Sequence, residues 1–125
     1  MSTKAPPPVA QWLGFETVDS ENNCYRLNFA ERHIGNPSIR AIHGGVIATF
    51  LEFAMEQSLK REAGARGATI SLSIDYLSSS RAEDMTAEVT IRKQGRRVSF
   101  LEARAWQQDG ERLVAVARAS LQTLS

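Results

Sequence analysis

The residues of this chain whose types and spacing could do chemistry are the segment Ile42-His43-Gly44-Gly45-Val46 and the carboxylate of Glu52, nine residues after His43. Two successive glycines entering a helix let the backbone come close to another group with no Cβ atoms in the way. The first-turn N–H groups have no intrahelical partner and point outward at the positive end of the helix dipole. A carbonyl oxygen or a developing oxyanion placed there is stabilised. The glycines alone fit a plainer role equally well, a tight strand-to-helix turn that binds nothing. Glu52 alone reads as an ordinary solvated carboxylate on a helix surface.

Spacing decides how these groups could cooperate. His43 and Glu52 stand about 13 Å apart along a helix rising 1.5 Å per residue. They cannot act on one bond within a single chain. If the helices of two copies lie antiparallel, Glu52 of one comes near Gly44 of the other, and a composite site at a dimer interface follows. Two further features point to a partner. Phe53 falls outside the apolar stripe of the helix, and the six residues Thr69 to Ile74 carry no charge. An open edge strand of that kind invites association, and pairing with its symmetry mate across a twofold axis satisfies it.

The elements that must position these residues are legible from period. Val46, Ile47, Phe50, Leu51, Ala54, Met55, Ser58 and Leu59 recur at helical spacing, and Gly64 and Gly67 bracket the end of that pattern. Val9 to Leu13 predicts a short helix, which Pro8 could open at its first turn and Gly14 ends. Phe15 to Ser20 and Cys24 to Ala30 read as strands around an Asn22-Asn23 turn. Glu31 to Ile42 reads as a polar, irregular connection. After the long helix the period drops to two: Ile70, Leu72, Ile74 and Tyr76 alternate with polar residues, then Met85 to Ile91, Val98 to Gln107 and Leu113 to Leu121, with turns at Gln94-Gly95 and Asp109-Gly110. Two strands, one long helix and four strands have one economical packing. The expected class is α+β, an antiparallel sheet of five to six strands wrapped around one long central helix, which is the hotdog layout. Residues 1–125 are expected to form one such domain, with 1–13 as an N-terminal extension and short helix.

Bulk composition excludes several functions. Fifteen basic against fourteen acidic residues leave a net charge of +1, without the basic excess of a nucleic-acid binder. One cysteine, Cys24, and two histidines cannot build a Cys/His zinc cage, so no metal is expected. No apolar run has bilayer length and the N-terminus lacks the apolar core of a signal peptide, so the expectation is a cytoplasmic protein without a membrane partner.

The stretch from Asn36 to Ala54 resembles the signature of the phenylacetate-pathway thioesterases of the hotdog superfamily. In that family an Asn lies in the loop before a His-Gly-Gly, an acidic residue follows the His by nine, and Ala usually stands two residues further on. Ile74-Asp75-Tyr76-Leu77 and Arg92-Lys93-Gln94-Gly95-Arg96-Arg97 are similar to later family strands and their turn, so the likeness spans about residues 12 to 123. The resemblance implies an acyl-CoA thioesterase acting on a small aryl- or acyl-CoA. Gly44 N–H would polarise the thioester carbonyl, with Gly45 beside it, and Asn36 would position that carbonyl or the water. Glu52 of a neighbouring subunit would activate water or attack directly. Thr69 matches a position where relatives hold a water-orienting hydroxyl, and His43 shapes the turn. The acyl group would meet Phe50 and Phe53. Arg81 and the hairpin group Arg92, Lys93, Arg96 and Arg97 would hold the phosphates of coenzyme A, although a charged hairpin is as often merely solvated. No cofactor is implied beyond the coenzyme A of the substrate. The implied assembly is a homodimer or a dimer of dimers. Three positions depart from the pattern: Glu52 where Asp is commoner, Glu56 where the Glu-using branch carries Thr, and Ala41 where Gly is usual. Other readings on the same fold are a non-catalytic acyl-CoA-binding module and an acyl-thioester dehydratase or hydratase.

Overall fold

A twenty-residue helix, α2 (Gly44–Ala63), is the axis of the computed structural model, which describes residues 8–64 and 66–124. Most of the expected N-terminal extension therefore lies outside the described residues. Before α2 come α1 (Pro8–Leu13), β1 (Phe15–Asp19), β2 (Cys24–Leu27), a 3-10 turn (Glu31–His33), β3 (Ile34–Asn36) and β4 (Ala41–Ile42). After it come β5 (Arg66–Tyr76), β6 (Met85–Lys93), β7 (Val98–Gln107) and β8 (Arg112–Leu124). Six strands form one sheet in the order β1-β2-β6-β7-β8-β5, antiparallel throughout. This is the expected α+β hotdog layout, with β1 and β5 as its edges.

The apolar stripe of α2 is buried on one face of that sheet, with Phe50, Leu51, Ala54, Met55 and Leu59 fully inaccessible. The sheet meets it with small residues: Ala87, Ala103, Ala105, Ala115 and Ala117 are all completely buried. Side chains this short let a helix approach the strands closely and fill the space with its own phenylalanine and leucines. Ser58, the one polar residue in the stripe, donates to Ala54 O at 2.9 Å and meets the Tyr25 hydroxyl at 2.6 Å. Gly64, with φ of 70°, closes α2 through a bond from its N–H to Lys60 O, a left-handed cap that favours glycine. At the β1–β2 turn, Asn23 takes φ of 51°.

Four expectations need correction. Phe53 is not on an exposed flank: it is buried, with its ring 5.4 Å from Phe15 and 6.0 Å from Tyr25. β1 and β2 cover a second side of the helix, so the buried arc is wider than the apolar stripe. The alternation through Ile70 is broken by a bulge between Thr69 and Ser71. Ile70 is consequently exposed, while Leu72 and Ile74 stay half-buried against the core. The connection from Glu31 to Ile42 is not irregular either, since β3 and β4 pair through Ile34↔Ile42 and Asn36↔Ala41. Finally, β1 stops at Asp19 and β2 at Leu27, short of Ser20 and Ala30; Phe29 already gives its N–H to Asp84 at 2.7 Å. No helix among the described residues is long and apolar enough to cross a membrane.

Candidate active site

His43 is the N-cap of α2, and its Nδ1 accepts the N–H of Gly45 at 2.8 Å. That nitrogen therefore carries no proton, and in the neutral ring Nε2 holds it. The N–H groups of Val46 and Ile47 both reach His43 O, at 2.9 and 3.2 Å. Among the described residues this leaves the Gly44 N–H with no acceptor, at the positive end of a twenty-residue helix. A side chain at either glycine would crowd a neighbour. A Cβ at Gly45 would lie 3.0 Å from His43 Nδ1, and one at Gly44 would lie 3.3 Å from the Tyr76 hydroxyl. That hydroxyl donates to Gly44 O at 2.8 Å and so holds the peptide that follows the free N–H.

Gly44 opens onto a cleft of about 390 Å³ shared with Ile42, Ile47, Tyr76, Leu77 and Ser80. The sequence marked Gly44 but not this wall. Its signal was the Tyr76-Leu77-Ser78-Ser79-Ser80 run, apolar and hydroxyl side chains together just past a strand. Ser80 is buried and clamps β4, accepting from Ile42 N–H at 2.9 Å and donating to Ile42 O at 3.3 Å. Behind it Gln107, also buried, accepts from Arg81 N–H at 2.8 Å and donates to Arg81 O at 2.9 Å and to Glu83 O at 3.0 Å. Gln107 thus sets the backbone that carries Arg81, whose side chain is exposed.

The loop bearing Asn36 is held from below by His33, which is fully buried. His33 Nδ1 accepts from Ala30 N–H at 3.1 Å, its Nε2 lies 2.8 Å from Leu13 O, and its own carbonyl accepts from His43 N–H at 2.7 Å. Gly35 packs directly on His43, where a Cβ would come within 2.9 Å. Asn36 is exposed, and its Oδ1 accepts from Ser38 N–H at 3.1 Å. Its amide NH₂ has no acceptor among the described residues. Across the loop Arg40, at φ of 50°, grips Glu31 with two bonds of 3.0 and 2.6 Å.

Burial holds the His33 imidazole below its usual range. The unfolded chain therefore takes up this proton first as pH falls, and stability must decline from near pH 6.5 downward. Denaturation midpoints measured between pH 7.5 and 5 are expected to fall, and the slope is expected to shrink in His33→Gln, which has no titrating ring. An unchanged slope in that variant would assign the effect elsewhere.

Glu52 leaves α2 half-buried, two turns along from Gly44, and Glu56 follows one turn later. Thr69 on β5 donates to Glu56 Oε2 at 3.3 Å. Burial first, and then the charge of Glu52, hold the Glu56 carboxyl above its usual range. In the sequence Glu56 stands out only as a departure from the family pattern. Phe50 and Phe53 are buried in the core and take no part in the wall of the Gly44 cleft.

The expected phosphate-binding cations divide between two ends of the molecule. Arg81 lies just before β6, beside the start of α2. The 94–97 turn joins the far ends of β6 and β7, level with Arg66 and the end of α2, about 30 Å away along a helix of this length. Arg92 is already paired with Glu102 at 2.8 Å, while Lys93, Arg96 and Arg97 are exposed and form no ion pair among the described residues. The expected site residues thus fall into three groups along one chain: Gly44, Asn36 and Arg81 at one end, Glu52, Glu56 and Thr69 further along α2 and β5, and the basic hairpin at the other end.

Residues 33–122 match the family model described as the acyl-CoA thioesterase N-terminal domain. No curated protein sequence matches the chain. Among solved structures, a thioesterase-superfamily protein is 28% identical, with TM-score 0.87, covering 95% of this chain and 90% of that one. A Bacillus halodurans protein, solved with CoA, is 27% identical with TM-score 0.80, over 93% of this chain and 75% of its own. A phenylacetic acid degradation-related protein from Ralstonia eutropha JMP134 is 25% identical with TM-score 0.78, over 94% and 92%. With 33–122 inside the model, well over half its length, the chain belongs to the acyl-CoA thioesterase domain family of the hotdog fold.

Proposed function

We propose that this protein hydrolyses the thioester of a small aryl- or acyl-CoA, at sites that two antiparallel copies of the chain complete together. The observation that carries the reading is the unpartnered Gly44 N–H, fixed at a helix start and open to the adjoining cleft. Such a donor stabilises the oxyanion of a carbonyl under attack. The NH₂ of Asn36, whose Oδ1 is already engaged, supplies a second donor for the same oxygen. Glu52 of the second copy takes a proton from water, whose oxygen bonds to the carbonyl carbon. The tetrahedral intermediate then breaks its C–S bond, and the departing thiolate takes that proton back from Glu52, giving the carboxylic acid, free coenzyme A and the regenerated carboxylate. Direct attack by Glu52 through an anhydride has the same net balance, and both routes require this carboxylate.

The separation of about 12 Å between Gly44 and Glu52 along α2 supports the two-copy arrangement, as does the uncharged central stretch of the edge strand β5. Paired antiparallel, the copies bring Arg81 of one toward the basic hairpin of the other, cations suited to the phosphates of coenzyme A. The coenzyme bound by the Bacillus halodurans protein is in keeping with such a ligand. No cofactor is needed beyond that substrate. A dehydratase role is disfavoured because His43 Nδ1 is occupied as an acceptor, leaving Nε2 as a donor rather than a base.

Release of free thiol from a panel of benzoyl-, phenylacetyl-, short- and medium-chain acyl-CoA esters tests the reading. At least one ester is expected to turn over at a kcat of roughly 1 per second or more. Tight binding with no thiol release from any of them would leave a binding module instead.

A further inference from the structure

Glu56 belongs to no step so far, and three observations place it beside the reaction. It stands four residues after Glu52, so both carboxylates leave α2 on the same side. It is half-buried, unlike a solvated surface acid. It also accepts a hydrogen bond from Thr69 Oγ1 across the gap to β5. The charged groups acting on it are Glu52 on its own helix and Arg66 on β5.

A hydroxyl whose proton is committed to a carboxylate has only lone pairs left to offer. Thr69 thereby becomes an acceptor seated on the carboxylate one helical turn from a second acceptor, Glu52. A water held between two acceptors gives one hydrogen to each and points a lone pair away from both, which is the orientation an attacking water requires. On this basis, and resting on the hydrolase reading above, we propose that Glu56 is a positioning residue for hydrolysis: it takes the Thr69 proton and so makes the Thr69 oxygen the second anchor of the attacking water. Water delivers its proton to Glu52 as it bonds to carbon, and Glu56 neither gains nor loses one during turnover.

The arrangement depends on pH. Burial and the neighbouring Glu52 charge push Glu56 upward, and the Thr69 bond and Arg66 pull it back. Glu56 therefore gains a proton on acidification before an ordinary carboxylate does. A protonated Glu56 can donate to Thr69 and reverse the hydroxyl, removing the anchor.

The test compares kcat and KM against pH for wild type, Glu56→Ala and Glu56→Gln on the best ester. Glu56→Ala is expected to lose about tenfold in kcat with KM within about twofold. Glu56→Gln keeps an amide oxygen to accept from Thr69 and has nothing to titrate. It is expected to recover to within about threefold of wild type at pH 8, with its acid limb at lower pH. Superimposable profiles for all three proteins overturn the proposal, and so does a Gln variant as poor as the Ala variant. A second readout needs no turnover: carboxyl ¹³C titration of Glu56 in wild type and Thr69→Val. Loss of the hydroxyl is expected to raise the Glu56 midpoint, because that bond favours the ionised form; an unmoved midpoint overturns the proposal. If wild type cleaves no ester, the hydrolase reading fails and takes this role with it. Hydrolysis without these Glu56 effects sinks this role alone.

Discussion

Glu52→Gln is expected to lower kcat by about a thousandfold or more while the protein stays folded and dimeric, since an amide neither accepts the water proton nor attacks a thioester. The substitution keeps size and shape at a half-buried position, so a loss of this kind reports chemistry rather than packing. Activity near wild type would remove Glu52 from the mechanism. The proposed composite site allows a sharper form of the test. Glu52→Gln disables one half-site and Asn36→Ala the other. A mixed dimer of the two variants has one site built from the intact Asn36 of one subunit and the intact Glu52 of its partner, and one doubly defective site. Random exchange at equal concentration makes half of the dimers mixed, so about a quarter of wild-type activity should return on mixing two weak proteins. A site contained within one chain predicts no recovery. The helix supports the first outcome: Glu52 lies about 12 Å along α2 from Gly44, too far for both to touch one carbonyl group.

Phe53→Ala is the second large effect, and it falls on stability. Phe53 is 7% exposed and sits between the rings of Phe15 and Tyr25. Removing a buried aromatic ring costs about 3–5 kcal/mol through lost transfer energy and the cavity left behind. For a chain of this length that lowers Tm by on the order of 10 °C or more. The sequence suggested a different role, in which Phe53 packs on a partner subunit. That role predicts a weakened dimer around an intact monomer fold. Thermal melts at two protein concentrations, combined with sedimentation, distinguish the two. A variant that melts like wild type but dissociates would return Phe53 to the interface.

Much of the molecule was legible in one dimension. The period of 3.6 from Val46 to Leu59 and the period of two after Arg66 give the helix and the strands, because each element must turn its apolar residues to one side. Gly64 and Asp109-Gly110 mark where the chain must take left-handed backbone angles. The His43-Gly44-Gly45 segment announced a helix start with unsatisfied N–H groups, and the family resemblance added meaning to its spacing from Glu52.

Period, however, reports only the face of an element relative to itself. Whether a second side is also covered depends on what packs there, and β1 and β2 cover Phe53. A bulge is one extra residue in a ladder and leaves no periodic trace. Counted by strict alternation, Thr69 belongs with the outward Ser71 and Ser73. The bulge before Ser71 turns Thr69 toward the helix, where it reaches Glu56. The buried anchors His33, Ser80 and Gln107 escaped for a related reason: their bonds close loops 20, 38 and 26 residues apart in sequence, and local composition carries no record of such partners. The sequence alone determined the long helix, the six strands of the main sheet, their order along the chain and the presence of a helix-start donor. Only the tertiary structure decided which side chains the donor and the carboxylates have as neighbours, because those neighbours come from segments that pattern cannot join.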